Sequence, residues 1–172
     1  MNEIARIIRK KAESKLNDWV KIRQHLHMHP ELSFQEEETQ AFICDRLEAL
    51  GIDYQKGDAD LRYVLAVVNP EKSETLALRA DIDALPIQEE NEHDYKSQVP
   101  GVMHACGHDV HTTCLLGALE IIQEIKDVVP YRILGIFQPA EEKLPGGAGL
   151  LIKKGILQKY QPKFILGQHV HP

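Results

Sequence analysis

Five residues in the second half of the sequence carry side chains that could share one metal ion. Cys106 and His108 lie two positions apart in the segment MHACGHDVHTTCLL (103–116), just ahead of an apolar run. Glu141 and Glu142 follow the strand-like run RILGIF, and His169 lies in GQHVHP. Thiolate, imidazole and carboxylate groups all bind zinc and the neighbouring transition metals.

One cysteine, two histidines and one glutamate supply four ligands and leave a second carboxylate free. A free carboxylate beside a metal suits hydrolysis, because it can take a proton from a water whose pKa the cation has lowered. Cys106 with His108 alone could instead form a nucleophilic thiol site, which is the competing interpretation of that pair. Metal ligation accounts for all five residues and is therefore favoured.

The first half of the chain must supply part of the scaffold for such a site. Apolar residues at helical spacing predict a long amphipathic helix over 3–28, ending before Pro30. Ser33 and Glu36 match the capping-box pattern, which predicts a second helix over 34–50.

The remaining elements predict the fold class. The apolar runs 63–68 and 75–80 flank the turn-rich stretch NPEKSE and predict a β-hairpin. The later elements are a helix over 110–126, a strand over 132–137, a helix near 147–154 and a strand over 164–169. Alternation of strands and helices predicts an α/β fold with a mixed, largely parallel central sheet flanked by helices. Loops beyond the carboxyl ends of such strands share one crevice, where the candidate residues could meet.

Composition and charge exclude several other functions. The 172 residues suit about one domain, and 43% apolar residues can form a core. The net charge of −6 gives no basic face for nucleic acid. No apolar stretch reaches the ~18 residues of a membrane span, and the N-terminus lacks a signal peptide's apolar block. We therefore expect no nucleic-acid or membrane partner and a cytoplasmic location.

Structural roles are the simpler interpretation for several other reactive residues. Cys44 and Cys114 lie on apolar helix faces and are predicted to be core residues. The residues predicted to have structural, supporting or surface roles are His25, His27, His29, His93, Glu36 to Glu38, Glu89, Glu90 and Glu92. Asp81, at the end of a predicted strand, is predicted to orient a metal ligand.

Five ordered segments of the chain resemble a known family. LHMHPELSFQEEET, LRADIDALPIQEE, MHACGHDVHTT, FQPAEEKLPGGA and GQHVHP look like successive signatures of the M20 metallopeptidases, in particular the amidohydrolase branch. The resemblance implies a zinc-exopeptidase-like catalytic domain with one or two divalent ions, which could be zinc, manganese, cobalt or nickel. It also implies hydrolysis of the amide bond in a small-molecule substrate, an N-acyl amino acid or small peptide.

The resemblance also assigns roles to individual residues. It implies four metal ligands, which are Cys106, His108, Glu142 and His169. Glu141 would be the general base acting on a metal-bound water, with Asp81 and Asp109 supporting the ligands. Arg79 stands where related peptidases place a histidine ligand, which is the pattern of the amidohydrolase branch.

The resemblance further implies that residues 1–172 are the N-terminal portion of the catalytic domain. The inserted lid or dimerisation domain and the C-terminal catalytic portion would be absent, and the full-length form would be a homo-oligomer. The stop at GQHVHP, directly after an apolar strand that looks buried, suggests the same. The alternative function is that of a truncated, non-catalytic metal-binding or structural fragment of such an enzyme.

Overall fold

The computed structural model describes residues 3–171. Its helices are α1 (Glu3–Met28), α2 (Glu37–Ala49), α3 (His108–Glu124), α4 (Gly147–Lys153) and α5 (Ile156–Tyr160), with a short 3-10 helix at Lys126–Val128. Its strands are β1 (Asp53–Lys56), β2 (Val64–Val68), β3 (Thr75–Asp81), β4 (Arg132–Gln138) and β5 (Phe164–Gly167). Within this described range, no helix is long and apolar enough to cross a membrane.

The five strands form one mixed sheet in the order β1-β2-β4-β3-β5. The pairs β1 with β2 and β2 with β4 are antiparallel, whereas β3 runs parallel to both β4 and β5. The predicted α/β fold with a mixed central sheet is therefore confirmed. The parallel group β4, β3 and β5 brings three carboxyl ends to one edge of the sheet.

The predicted hairpin between residues 63–68 and 75–80 is wrong, because β4 lies between β2 and β3. The connecting turn contains Asn69, whose side-chain amide donates to the backbone oxygens of Lys126 and Val129 at 2.9 and 3.1 Å. These hydrogen bonds tie the turn to the segment that enters β4. The turn-rich linker correctly predicts that the chain reverses direction between β2 and β3. Tertiary contacts determine that β4 lies between these two strands.

Apolar side chains cover both faces of the sheet. The cluster shared with α1, α2 and α3 includes Leu26, Ile43, Leu47, Val64, Leu119 and Phe137. The cluster shared with α4 and α5 includes Leu65, Ala77, Leu134, Ile136, Leu151 and Ile156. Successive residues of a strand point to opposite faces, which explains why Val64 and Leu65 belong to different clusters. Helices on both faces leave the ends of the strands as the open part of the sheet.

The start of α2 differs from the prediction in position and in capping. The helix begins at Glu37, and the residue before it, Glu36, makes no side-chain capping hydrogen bond. Ser33 Oγ donates instead to Asp83 Oδ2 at 2.6 Å, and Glu36 Oε1 accepts the backbone N–H of Ala140 at 2.8 Å. Both side chains reach distant loops, so the local capping pattern was misleading, and Glu36 is fully buried rather than on a solvated face.

Other surface and core expectations need correction. Glu89 is buried, 6% exposed, and its carboxylate is paired there, since it accepts the backbone N–H of Ser97 at 2.6 Å and lies 3.1 Å from the ring of His27. Cys114 is exposed on α3 and is not a core residue, whereas Cys44 is buried as predicted.

The last strand does not have the buried character that its sequence suggested. β5 is exposed along its length, with Phe164 67% and Leu166 65% exposed. Its described partner is β3 on one side, so the other edge of the strand faces outward. The short polar strand β1 and the five-residue helix α5 were not predicted, because neither is long enough to show a clear period.

Candidate metal centre

The five residues singled out in the sequence meet at the carboxyl ends of β3, β4 and β5. Ligand atoms of Cys106, His108 and His169 lie within 4.8 Å of one another, as do those of His108, Glu141 and Glu142. His108 opens α3, and the other residues lie in the loops that precede or follow these elements. Because parallel strands end at one edge, residues far apart in sequence converge there.

His108 belongs to both groups and has a defined ring orientation. Its Nδ1 lies 2.8 Å from the backbone oxygen of Asp83, which can only accept, so Nδ1 carries a proton. The neutral ring therefore directs an unprotonated Nε2 into the site. Burial lowers the pKa of His108, but the carboxylates of Asp83 and Asp81 outweigh it and leave that pKa above its ordinary value.

Within residues 3–171, two buried acceptor atoms that face each other in the centre have no hydrogen-bond partner. They are His108 Nε2 and Glu142 Oε1, which lie 3.7 Å apart. Buried polar atoms are normally paired, and two electron-pair donors that face each other are satisfied by a shared cation. With a thiol and a second imidazole beside them, the donor set fits a divalent ion such as zinc.

Cys106 lies opposite His169, with its Sγ 3.3 Å from His169 Nε2. Burial, together with the nearby Glu142 carboxylate, raises the pKa of the Cys106 thiol to about 11. Reactive nucleophilic cysteines have lowered pKa values, since the thiolate is the reacting form. The surroundings of Cys106 therefore do not favour a thiol nucleophile, and they suit a thiol that loses its proton only when a metal replaces it.

Asp83 supports the centre more directly than its sequence position indicated. Its Oδ2 accepts the backbone N–H of Glu142 at 3.0 Å as well as the Ser33 hydroxyl. Burial alone would raise the pKa of Asp83, but His108 and these hydrogen bonds lower it to about 2. Asp83 thus contacts two candidate ligands, the backbone of Glu142 through its carboxylate and the ring of His108 through its backbone oxygen.

Asp81 and Asp109 were the residues predicted to support the ligands, and they lie in different places. Asp81 is buried beside the centre, with Oδ1 3.6 Å from His108 Nε2 and 2.6 Å from His111 Nδ1. Asp109 is buried against α1, where its Oδ2 lies 2.8 Å from His27 Nδ1 and 2.7 Å from Arg23 Nε. The contacts described for Asp109 therefore tie α3 to α1.

The side chain of Arg79 joins the ends of two neighbouring strands. Its Nη1 donates to Asp81 Oδ2 at 2.6 Å, and its Nε donates to Gln138 Oε1 at 2.9 Å. These bonds hold the adjacent ends of β3 and β4.

Sequence reasoning gave no role to His111, which lies next to the centre and is buried. Its spacing of three residues from His108 on α3 is the one signal that could have identified it, since such residues share a helix face.

Two curated proteins are similar to this chain over most of its length. A 161-residue stretch is 47% identical to an uncharacterized hydrolase of Staphylococcus haemolyticus, covering 92% of this chain and 41% of that relative. A Bacillus subtilis protein that is provisionally named an amidohydrolase is 42% identical over 163 residues. The match covers 95% of this chain and 41% of that protein. The chain thus spans about two fifths of the length of the curated relatives it matches.

Solved structures and a family model give the same assignment. The crystal structure of a dinuclear metal-binding peptidase of the M20 family from Bacillus subtilis matches with a TM-score of 0.85 and 37% identity, covering 93% of this chain and 44% of that one. The model for Peptidase family M20/M25/M40 matches residues 77–172, more than half of the sequence. These residues include every candidate ligand, and the chain belongs to peptidase family M20/M25/M40.

Proposed function

We propose that this chain forms part of a metal-dependent amidohydrolase that cleaves the amide bond of N-acyl amino acids or small peptides. The observation that carries the proposal is the convergence of a thiol, two imidazoles and two carboxylates at one edge of the sheet. The residues that would hold the metal are Cys106, His108, Glu142 and His169. The names of the matched relatives support a hydrolase, and the substrate class is our inference.

Some side chains of the site would bind the metal ion, and one would transfer a proton. A bound divalent ion supplies a Lewis acid that acidifies water and polarises a carbonyl oxygen. His108 is already oriented for ligation by the carbonyl of Asp83. The identity of the ion, whether zinc, manganese, cobalt or nickel, depends on metal availability as well as on these donors.

Glu141 is the carboxylate left for proton transfer. It is exposed, and a carboxylate oxygen lies within 4.8 Å of the ligand atoms of His108 and Glu142. In the proposed reaction, it accepts a proton from the attacking water and returns that proton to the nitrogen of the leaving amine. The water oxygen forms the new bond to the acyl carbon as the carbon–nitrogen bond breaks, so the proton count balances.

We further infer that residues 1–172 are the N-terminal portion of a longer catalytic domain. The chain matches about 41% of its curated relatives, which leaves room for an inserted lid or dimerisation domain and a C-terminal catalytic portion. Those segments would add substrate contacts and the surfaces of a homo-oligomer.

Elemental analysis combined with amino-acid release from N-acetyl and N-benzoyl substrates tests the proposal. We expect Cys106→Ala to lose bound metal, while Cys114→Ala, which removes an exposed cysteine on α3, should retain it. Glu141→Gln should keep the metal and lose turnover by about 10²–10⁴-fold, the usual contribution of a general base. The activity measurements require the longer protein as well as this chain.

Each outcome separates the competing functions. Turnover of Glu141→Gln at the wild-type rate would contradict the assigned base. Bound metal with no release from any acyl amino acid, in the longer protein too, would favour the non-catalytic alternative. Inactivation by alkylation of Cys106 with no effect of chelators would favour the thiol hydrolase.

A further inference from the structure

His111 links the metal centre to the segment that carries His169. Its Nε2 accepts the backbone N–H of Val170 at 2.9 Å, one residue beyond His169. A backbone N–H can only donate, so Nε2 has no proton and the neutral ring carries its proton on Nδ1. That proton is donated to Asp81 Oδ1 at 2.6 Å. Both nitrogens of His111 are therefore engaged, which leaves no lone pair of the ring for a metal.

The acceptor that orients His111 is itself held in place. Asp81 Oδ2 accepts from Arg79, and the backbone oxygen of Asp81 accepts from Thr112 Oγ1 at 3.0 Å. Arg79 also donates to Gln138 at the end of β4. A continuous series of hydrogen bonds thus runs from the end of β4 through β3 and α3 to the backbone beside His169.

The segment that receives this series pairs with β3 up to Gly167, and His169 and Val170 lie beyond that pairing. Residues 163–171 are exposed, in contrast to the buried ends of β3 and β4. The ring of His111 also packs against the ring of His169, with centroids 4.5 Å apart at 64°. Gly107 allows Val170 to approach closely, because a Cβ at this position would lie 2.4 Å from Val170 Cγ2.

We propose that His111 is a positioning residue that fixes the backbone at Val170, so that His169 Nε2 faces Cys106 Sγ in the metal centre. The inference rests on the proposed function, in which His169 is a ligand. In this proposal, His111 orients a metal ligand and does not itself bind the metal. Supporting partners of metal ligands typically contribute 10- to 100-fold in metal affinity.

Cobalt titration of this chain tests the proposal, since the visible spectrum of Co²⁺ reports the number and type of its ligands. His111→Phe keeps a ring against His169 and removes both hydrogen bonds. We expect it to weaken Co²⁺ binding by at least about tenfold and to change the spectrum in the same direction as His169→Ala. Thr113→Val, which removes the hydrogen bond from Thr113 Oγ1 to the backbone oxygen of Asp109 within the same helix, is the matched control and should bind Co²⁺ like the wild type.

Two further measurements keep the result interpretable if His111→Phe fails to fold. His111→Gln retains one donor and one acceptor, and it should recover part of the lost affinity. Hydrogen exchange of the Val170 amide in the metal-free wild type should be slow for such an exposed segment and should become faster in His111→Ala, which has no side-chain acceptor.

The controls distinguish failure of this inference from failure of the proposed function. If His169→Ala binds Co²⁺ with an unchanged spectrum, the ligand assignment is wrong. If His169→Ala changes the spectrum but folded His111→Phe matches the wild type, His111 has no positioning role. Unprotected exchange at Val170 in the wild type would also overturn the inference.

Discussion

The Cys106 thiol holds its proton more tightly than a cysteine in water, because burial and the Glu142 carboxylate both disfavour the thiolate. With a pKa of about 11, this thiol is protonated at neutral pH in the metal-free protein. His108 also has a raised pKa, because the carboxylates of Asp83 and Asp81 outweigh the effect of burial. A metal must therefore compete with protons for at least two of its proposed ligands.

We expect metal affinity to rise with pH as a result. Binding displaces the Cys106 proton throughout the neutral range, so affinity should increase about tenfold per pH unit, and more steeply at lower pH where His108 is also protonated. Calorimetric titration in buffers of different ionisation enthalpy measures the protons released. At about pH 8, the wild type should release about one proton per metal more than Cys106→Ala, because only the wild type has the Cys106 proton to lose. Metal affinity that is flat from about pH 5 to pH 8 would contradict the proposed ligands.

Residue type and position singled out the five candidate residues, and the family resemblance then assigned Glu142 as a ligand and Glu141 as the base. Residue type could not identify Asp83, Glu36 or His111 as supports. Each of these side chains pairs with a backbone N–H that the fold brings from a distant segment, namely Glu142, Ala140 and Val170. Because every residue except proline has a backbone N–H, such a partner cannot be recognised from the residue types.

At the scale of elements, Glu36 connects the start of α2 to the loop that follows β4. Its Oε1 accepts the N–H of Ala140, the residue before the two candidate glutamates. Ala140 has a φ of 50°, a left-handed conformation that is costly for a residue with a Cβ. The buried carboxylate thus holds a strained turn that positions Glu141 and Glu142.

Removal of this contact should destabilise the fold. Glu36→Ala leaves the buried N–H of Ala140 without an acceptor, which costs about 1–3 kcal/mol in the free energy of unfolding. Glu37→Ala, at an exposed neighbour that pairs with Arg62, should cost less than about 1 kcal/mol. Urea denaturation measures both, and Glu36→Gln, which keeps an acceptor, should lie between them. Equal stabilities of Glu36→Ala and Glu37→Ala would show that the contact is unimportant.

Local periodicity predicted the helices well and the pairing of strands poorly. The predicted helix over 3–28 is α1, and residues 110–126 and 147–154 match α3 and α4 within about two residues. The hairpin failed because β2 and β3 are close in sequence while each pairs with β4, which follows much later. Helical hydrogen bonds are local, whereas strand order depends on contacts that a single sequence does not reveal.

For the whole molecule, β5 presents apolar side chains and an outward edge. Phe164, Ile165 and Leu166 are 67%, 47% and 65% exposed. An exposed apolar edge strand is a template for pairing with another chain. This surface therefore favours association, either with further segments of a longer protein or between copies of this chain.

We expect the isolated chain to self-associate as its concentration rises, in a manner that depends on β5. Sedimentation velocity of the wild type should show an increasing average mass. Leu166→Lys should reduce this increase by placing a charge on the exposed strand. Val128→Lys, which replaces an equally exposed apolar residue outside the sheet, should leave it unchanged. Identical behaviour of the two variants would exclude β5 as the associating surface.

The parallel pairing of β3 with β4 has a consequence for the order of folding events. Asp81 pairs with Gln138, and β5 joins the other side of β3 through residues later still. Contacts between residues so distant in sequence form slowly, because the loop entropy must be lost before the contacts stabilise the chain. The proposed ligands lie beyond the ends of these same strands, so the centre assembles only after the sheet. Metal uptake during refolding would then mark the completion of folding, and a chain that had merely collapsed would bind none.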